Sequence, residues 1–411
     1  MTTTATSWLS SSALASGPFR RLFAAGLVSD LGDWLLFIAL PLVVLRLSGS
    51  ALGTSLAFLL ELLPAVVLAP LVARIVTRFE RRILMVAVTI GQALSLVPLF
   101  FVHDRSDLPL VYLVIVLQAS LGAVFEPAKN SLLPDLVGAD RIVSANALVG
   151  LGQNLGRLIG GPLGGVLLAF GDLRLVAIVD VSTYVVAAAL LVTLPSRPAV
   201  APVDGAPPRL SGLLADRRMR GVFLVVFVSS IAQGLFVVLF VFFVTSSLHG
   251  SDADVGLLRG IQAVGAIAAG LVVGLLASRF DIRRLAVVGV GAFALISLVT
   301  WNLPGVTTDL WPYVVLFIVV GAPGVLLGDG LVGILQLGSE EGERGHVFTV
   351  LGVVLAAGQA IGMLTAGLLQ GVVGTVPLLE LQGGMYVLAT VLAVMTLPRL
   401  GLSGGVATDR G

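Results

Sequence analysis

Apolar runs of about 20–27 residues recur along the chain, separated by short polar clusters. At a rise of about 1.5 Å per residue, each is long enough to cross the roughly 30 Å hydrocarbon core of a bilayer as a helix. The runs fall at 21–45, 51–73, 83–102, 109–128, 143–170 and 174–194, then at 221–247, 255–277, 285–303, 311–331, 346–370 and 377–397. Between the sixth and seventh, residues 195–220 form the long polar stretch, with five prolines, five arginines and two aspartates. The pattern predicts two six-helix halves joined by a linker.

Composition narrows the class. Of 411 residues, 57% are apolar and only 11% charged, and the mean hydropathy is +1.07. A soluble domain carries about 25% charged residues. A water-soluble enzyme, a nucleic-acid binder or a disordered scaffold is excluded on that ground. The net charge of +1 names no partner. With no cysteine, disulfides, thiolate metal sites and cysteine nucleophiles are excluded, although the compartment is not fixed. Residues 1–18 are rich in Ser, Thr and Ala and carry no charged side chain. Ala13-Leu14-Ala15 mimics a cleavage site but follows no basic and apolar regions, so a short disordered tail is expected instead of a signal peptide.

Basic residues set the orientation. With the N-terminus in the cytoplasm, 19 of the 24 Lys and Arg residues fall on the inner side, and Arg46, Arg105, Arg174 and Arg259 fall outside or near the outer face. Arg157 is left mid-span. Both termini are therefore expected inside. The halves also repeat. Gly49-Ser50 and Gly250-Ser251 are 201 residues apart, as are Arg78-Phe79-Glu80 and Arg279-Phe280-Asp281, with Arg81-Arg82 and Arg283-Arg284 completing the match. Two such pairs at equivalent positions argue for duplication.

The loops after the second and eighth runs, Ala73 to Arg82 and Gly274 to Arg284, resemble the G-x-x-x-D-R-x-G-R-R loop of the major facilitator superfamily, over nearly the whole chain. Thr77 and Ser278 replace the family's Asp, and Ala73 its first Gly. Phe19-Arg20-Arg21-Leu22-Phe23, Leu31-Gly32-Asp33-Trp34, Phe125-Glu126-Pro127-Ala128, Leu132-Leu133-Pro134 and Ser144-Ala145-Asn146-Ala147-Leu148 look like its macrolide-efflux and enterobactin-exporter-like branch. The resemblance implies an all-α membrane protein of twelve transmembrane helices in two pseudo-symmetric bundles, working as a proton-driven exporter. In the family the loop Asp caps a helix of the other half and pairs with Arg. A corresponding cytoplasmic latch is expected from Arg78, Glu80, Arg81, Arg279 and Asp281, or simple basic anchoring at the inner face.

Charges at membrane depth are the candidates for chemistry. Asp30 and Asp33 lie one turn apart in the first run, so they are expected to share a face and a proton. Helix packing, or a cavity-facing Asp33 that does not titrate, is the alternative. Glu61, three residues before Pro64, is a second proton carrier, or else pairs with Arg157 or with the eleventh helix. Arg157 is expected to bridge to Glu61, Asp33 or Glu126 instead of touching cargo. It lies inside a segment that resembles the superfamily's antiporter motif and contains Gly156, Gly160, Gly161, Pro162, Gly164 and Gly165. These glycines predict a tightly packed gate, or plain small-residue packing. Glu126 and Lys129, at i and i+3, are expected to pair. Asp180 and Asp329 are weaker candidates. Phe37, Phe58, Phe236 and Phe240 are possible walls of a substrate pocket, although such stripes often face lipid.

The domains expected are a tail 1–18, bundles 19–194 and 221–398, a cytoplasmic linker 195–220 and a tail 399–411. No G-x-x-x-x-G-K-[S/T] stretch and no histidine cluster is present, so no nucleotide, cofactor, catalytic residue or metal is expected, and the proton gradient supplies the drive. The expected partners are an amphiphilic small molecule, protons and lipid, with no nucleic acid, for a monomer in a bacterial inner membrane. A proton symporter for a nutrient, an energy-independent lipid translocator and a non-transporting sensor are the other readings.

Overall fold

The computed structural model describes residues 13–196, 217–276, 281–339 and 344–398. These residues are helical throughout, with no strand among them. Helix α1 spans Gly17–Ser48, entered by a Ser16 cap that accepts from the Phe19 N–H and closed by Gly49 in the left-handed conformation (φ 63°). The second run is broken. Helix α2 (Ala51–Val67) and α3 (Ala69–Arg78) meet at Leu68 with a 55° bend. Pro70 lacks the N–H that would have reached the Val66 carbonyl, which weakens the ladder at that point.

The remaining helices of the first half are α4 (Arg81–Ser95), α5 (Leu108–Val137), α6 (Ile142–Phe170) and α7 (Leu173–Val192). Those of the second half are α8 (Arg217–Phe242), α9 (Asp252–Leu276), α10 (Ile282–Asn302), α11 (Leu310–Gly338), α12 (Arg344–Val373) and α13 (Thr375–Thr396). Among the described residues, ten helices are long and apolar enough to cross a membrane, and the bent pair α2–α3 makes an eleventh. The remaining helix, α6, is diluted by its glycines and by Gln153, Asn154 and Arg157, so apolarity alone does not single it out. With it, the twelve expected spans are all present.

Packing repeats between the halves. Helix α1 lies against α6 and α7, as α8 lies against α12 and α13, while α4 packs on α7 as α10 does on α13. Arg82 donates to the Leu194 carbonyl (3.1 Å), and its counterpart Arg283 to the Leu397 carbonyl (3.0 Å). The halves meet through α6 on α9 and α2 on α12.

Glycine makes the first of these contacts possible. A Cβ on Gly165 would overlap the Asp252 carbonyl, and one on Gly256 the Gly161 carbonyl. The opposite face of α6 presents Gly160 and Gly164 to the backbone of α1 at Leu31 and Leu35. Helix α6 is thus held between its own half and the other. Ser55 adds a hydrogen bond to the Met363 carbonyl (2.5 Å), and Arg46 an ion pair to Asp252.

The apolar core shows where the halves separate. At the end bearing Ser48 and Asp252 one cluster draws on both halves, joining Leu42, Val111 and Val176 to Val244, Tyr313 and Leu379. At the opposite end each half has its own, around Leu22, Met85 and Leu132 in the first and Val222, Ala286 and Leu335 in the second. Among the described residues the two halves are therefore closed on each other at one end and parted at the end carrying the Arg78–Arg82 loop.

Of the proposed latch, Arg279 lies outside the described residues, as do Ser278 and most of the two tails and linker. Arg81 is buried and paired with Asp135 (2.5 Å), Glu80 is near Arg82 (3.5 Å), and Asp281 caps α10 by accepting from the Arg284 N–H (3.0 Å). These partners are all in the residue's own half, and no cross-half latch is engaged among the described residues in this parted state.

Gly256→Ala is expected to lower stability by about 1–3 kcal/mol through overpacking. Gly270→Ala on the same helix, where a Cβ meets nothing within 4 Å, should be neutral or gain up to about 1 kcal/mol. Thermal unfolding of the two purified variants compares them directly; equal melting temperatures would contradict the close α6–α9 contact.

Candidate functional site

Two cavities lie at mid-depth. The first, of about 250 Å³, sits in the first half and is lined by Asp33 and Glu61 with Phe37, Gln92 and Gln118. Asp33 comes from α1, Glu61 from α2, three residues ahead of Pro64, and the two glutamines from α4 and α5. Asp33 is exposed to the cavity. Its Oδ1 accepts from the Tyr184 hydroxyl (2.6 Å), which also lies 3.1 Å from Gln118 Oε1 and receives a long bond from Gln92 Nε2 (3.4 Å). Gln118 in turn donates to the Gln92 carbonyl (3.1 Å). Tyr184 is fully buried, so its single proton has only these acceptors. Glu61 makes no hydrogen bond among the described residues.

Asp30 is not with Asp33. One turn earlier on α1, it lines a separate small recess with Lys129, Phe23 and Gly152, and its Cβ stands 2.7 Å from where a Cβ on Gly156 would be. The i, i+3 relation turns the two side chains about 60° apart around the helix axis. On a helix enclosed by α6 on one side and α5 and α7 on the other, that is enough to place them in different grooves. The expected shared face is therefore corrected. Lys129 does pair with Glu126 (2.5 Å) and is itself buried. Asp180, completely buried on α7, takes a bond from Thr183 (3.0 Å) and packs against Gly32, while its second oxygen has no partner. Asp329 is exposed.

The second cavity, of about 210 Å³, belongs to the second half and is lined by Arg157, Arg259 and Gln262 with Phe236, Trp301 and Tyr386. Arg157 is not bridged to any of the expected acids. Its Nε donates to the Arg259 carbonyl (3.1 Å), a terminal nitrogen donates to Gln262 Oε1, and the guanidinium covers Trp34 at 5.1 Å. The glycine contacts explain this, because they draw α6 so near α9 that the α9 backbone fills the space around Arg157. Arg259 corrects a second expectation. Instead of lying near the outer face, it is 7% exposed and held between the rings of Phe37 (5.5 Å) and Phe236 (4.9 Å). Among the four phenylalanines, Phe37 lines the first cavity and Phe236 the second, whereas Phe58 and Phe240 are buried behind them.

The duplication relates the two cavities. Glu61 and Gln262 are 201 residues apart, Tyr184 and Tyr386 are 202, and Asp33 and Gln233 are 200. Tyr386 reaches Gln233 (3.4 Å) as Tyr184 reaches Asp33. Each carboxyl of the first cavity thus has an amide of similar shape in the second. Tyr184, Gln92, Gln118, Arg259 and Gln262 were missed from sequence, although the repeat offset would have paired Gln262 with Glu61. Among the described residues no group of three or more His, Asp or Glu side chains is placed to hold a metal ion.

Twelve helices in two related bundles, parted at one end around polar cavities at mid-depth, define a multi-pass membrane transporter. The chain belongs to the Major Facilitator Superfamily, whose family model matches residues 22–221 and again 222–403. The transporter YfiS of Bacillus subtilis, of the same superfamily type, is 31% identical over 175 residues, which are 42% of this chain. The multidrug efflux pump Tap of Mycolicibacterium fortuitum is 30% identical over 161 residues, 37% of this chain. The chain spans 41% and 39% of these two relatives' lengths. Macrolide efflux protein A of Streptococcus pyogenes is 22% identical over 390 residues, covering 92% of this chain and 95% of its own. In fold, the chain is similar to a bacterial homologue of the iron transporter ferroportin in its inward-facing state (TM-score 0.76, 15% identity, 92% of this chain and 98% of that one). It is also similar to the nucleoside transporter NupG (TM-score 0.75, 13% identity, 93% and 100%).

Tyr184→Phe removes the hydroxyl that serves Asp33, Gln92 and Gln118 together. A loss of about 1–3 kcal/mol in unfolding free energy is expected, read by thermal denaturation; an unchanged transition would mean water replaces the hydroxyl without cost.

Proposed function

We propose that the protein is a proton-coupled exporter of hydrophobic or amphiphilic small molecules, with Asp33 and Glu61 carrying the proton. The carrying observation is the Asp33–Tyr184–Gln118 set facing an open cavity at mid-depth. With Asp33 ionised, Tyr184 donates to it. With Asp33 protonated, the carboxyl donates to Tyr184, whose own proton turns to Gln118 Oε1 at 3.1 Å. Both protonation states are hydrogen-bonded, so the site can load and unload a proton without leaving an orphaned group.

The two bundles rock about this depth, joined by the cytoplasmic linker 195–220. Both termini lie in the cytoplasm of a bacterial cell, in keeping with the 19 basic residues assigned to that side. In this orientation the parted end faces inward, ready to receive cargo. The protein acts as a monomer and uses no cofactor. The efflux activity named for Tap and for macrolide efflux protein A supports export over nutrient symport.

In proteoliposomes with an imposed proton gradient, the wild-type protein should move fluorescent amphiphiles. Asp33→Asn should abolish gradient-driven efflux. Wild-type efflux and proton release in that variant would remove Asp33 from the mechanism. Cargo added on one side should drive protons to that side; the opposite sign would mean symport, and indifference to the gradient an uncoupled lipid or solute translocator.

A further inference from the structure

Charge at mid-depth is sorted between the cavities. The first is lined by two carboxyls and no cation, the second by two guanidiniums and no carboxyl. Arg259 is the least satisfied of these groups. It is buried between two rings, and its guanidinium has no hydrogen-bond acceptor among the described residues. Gln262 Nε2 beside it is buried and equally without an acceptor. Arg157 keeps its neighbours busy with bonds to the Arg259 carbonyl and to Gln262 Oε1, which aims the free amide nitrogen elsewhere. The nearby Glu61 carboxylate acts on Arg259 electrostatically but does not reach it with a hydrogen bond, and a buried guanidinium left without an acceptor is costly unless an anion completes it. The second cavity is therefore donor-rich and short of acceptors, with the edges and faces of Phe236, Trp301 and Phe317 around it.

The first cavity has the opposite need. Glu61 is without a donor among the described residues, and Asp33 has only Tyr184. The two spaces are neighbours. A crevice of about 10 Å³ shares Phe37 with the acidic cavity and Arg259 with the cationic one, too narrow for a ring in this state, so a ligand that reaches both cavities has to part Phe37 from Arg259. One helix, α1, carries Asp33 toward the acids and Trp34 and Phe37 under the two arginines, so a pair of rings separates the opposite charges.

We infer that the two cavities are the ends of one binding site for a zwitterionic aromatic amphiphile. Its ammonium meets Asp33 and Glu61, its carboxylate meets Arg259, Arg157 and the Gln262 amide, and its ring system lies along Phe37 and Phe236. This rests on the transporter reading above and specifies its cargo. It also gives the linkage that antiport requires. An ammonium and a proton compete for the same carboxyls, so cargo entry expels the proton, while the arginine end supplies affinity that the proton does not contest.

Equilibrium binding without any gradient tests the charge assignment separately from coupling. The probes are a naphthalene with a carboxylate on one ring and an aminomethyl group on the other, naphthoate, and naphthylmethylammonium. They are titrated calorimetrically into the purified full chain in detergent. The zwitterion should bind at least about tenfold more tightly than either single-charge probe. Arg259→Gln should reduce it to the affinity that naphthylmethylammonium has for the same variant. Asp33→Asn should reduce it to the affinity of naphthoate. A single-charge probe binding within about twofold of the zwitterion, an affinity unmoved in Arg259→Gln, or no binding by any probe would overturn the proposal. Should the variants fail to fold, the ranking of the three probes on the unaltered protein decides alone. Selective zwitterion binding in a protein whose efflux ignores the proton gradient would refute the coupling and keep the site; gradient-driven efflux without zwitterion preference would do the reverse.

Discussion

The close approach of α6 and α9 governs the rest of the molecule. Gly161 and Gly165 on one helix and Gly256 and Gly260 on the other let two backbones meet where side chains would hold them apart. That contact closes one end of the bundle. It also brings Arg157 of the first half onto the Arg259 carbonyl and Gln262 of the second, so a residue of one bundle becomes part of the wall of the other's cavity. Without hydrophobic driving force between helices in lipid, such small-residue packing and a few hydrogen bonds are the forces available.

Duplication built two similar halves, and the differences between them are chemical. Where the first half has Asp33 and Glu61, the second has Gln233 and Gln262, with Tyr184 and Tyr386 in matching places. An amide keeps the shape and hydrogen-bonding reach of a carboxyl but neither its charge nor its proton. The scaffold thus carries an ionisable version and a fixed, neutral version of one polar constellation. The guanidiniums then collect on the neutral side, where no carboxyl lines the wall.

The fold was legible because membrane helices declare themselves by length and apolarity, and because the polar gap at 195–220 and the 201-residue offset divide the chain. Helix α6 is the weakest of these signals, because its glycines and Arg157 dilute its apolarity, and the even count required by two six-helix halves supports it. The site was legible only in part. Mid-span carboxyls stand out on any apolar background, so Asp33 and Glu61 were found. Which groove a side chain enters depends on rotation about the helix axis and on the neighbours across it, and spacing along one helix does not carry that. Asp30 was therefore grouped with Asp33, and Arg157 with acids it does not meet. Arg259 was misplaced because its depth depends on where α9 begins. The helix starts at Asp252, three residues before the apolar run, which puts Arg259 two turns inside. Tyr184 barely marks a hydropathy pattern, and the glutamines mark it but carry no formal charge to set them apart as candidates.

The matched contacts of Arg82 with the Leu194 carbonyl and Arg283 with the Leu397 carbonyl have a mechanical consequence. Each guanidinium ties the first turn of its bundle's third span to the exit of its sixth, at a helix end whose carbonyls lack partners and whose dipole is negative. A bundle stapled in this way resists shear, so motion at its far end is transmitted along its length instead of being absorbed. Two stiff levers joined by a largely apolar contact at one end need little internal rearrangement to turn a small tilt there into a wide opening at the other.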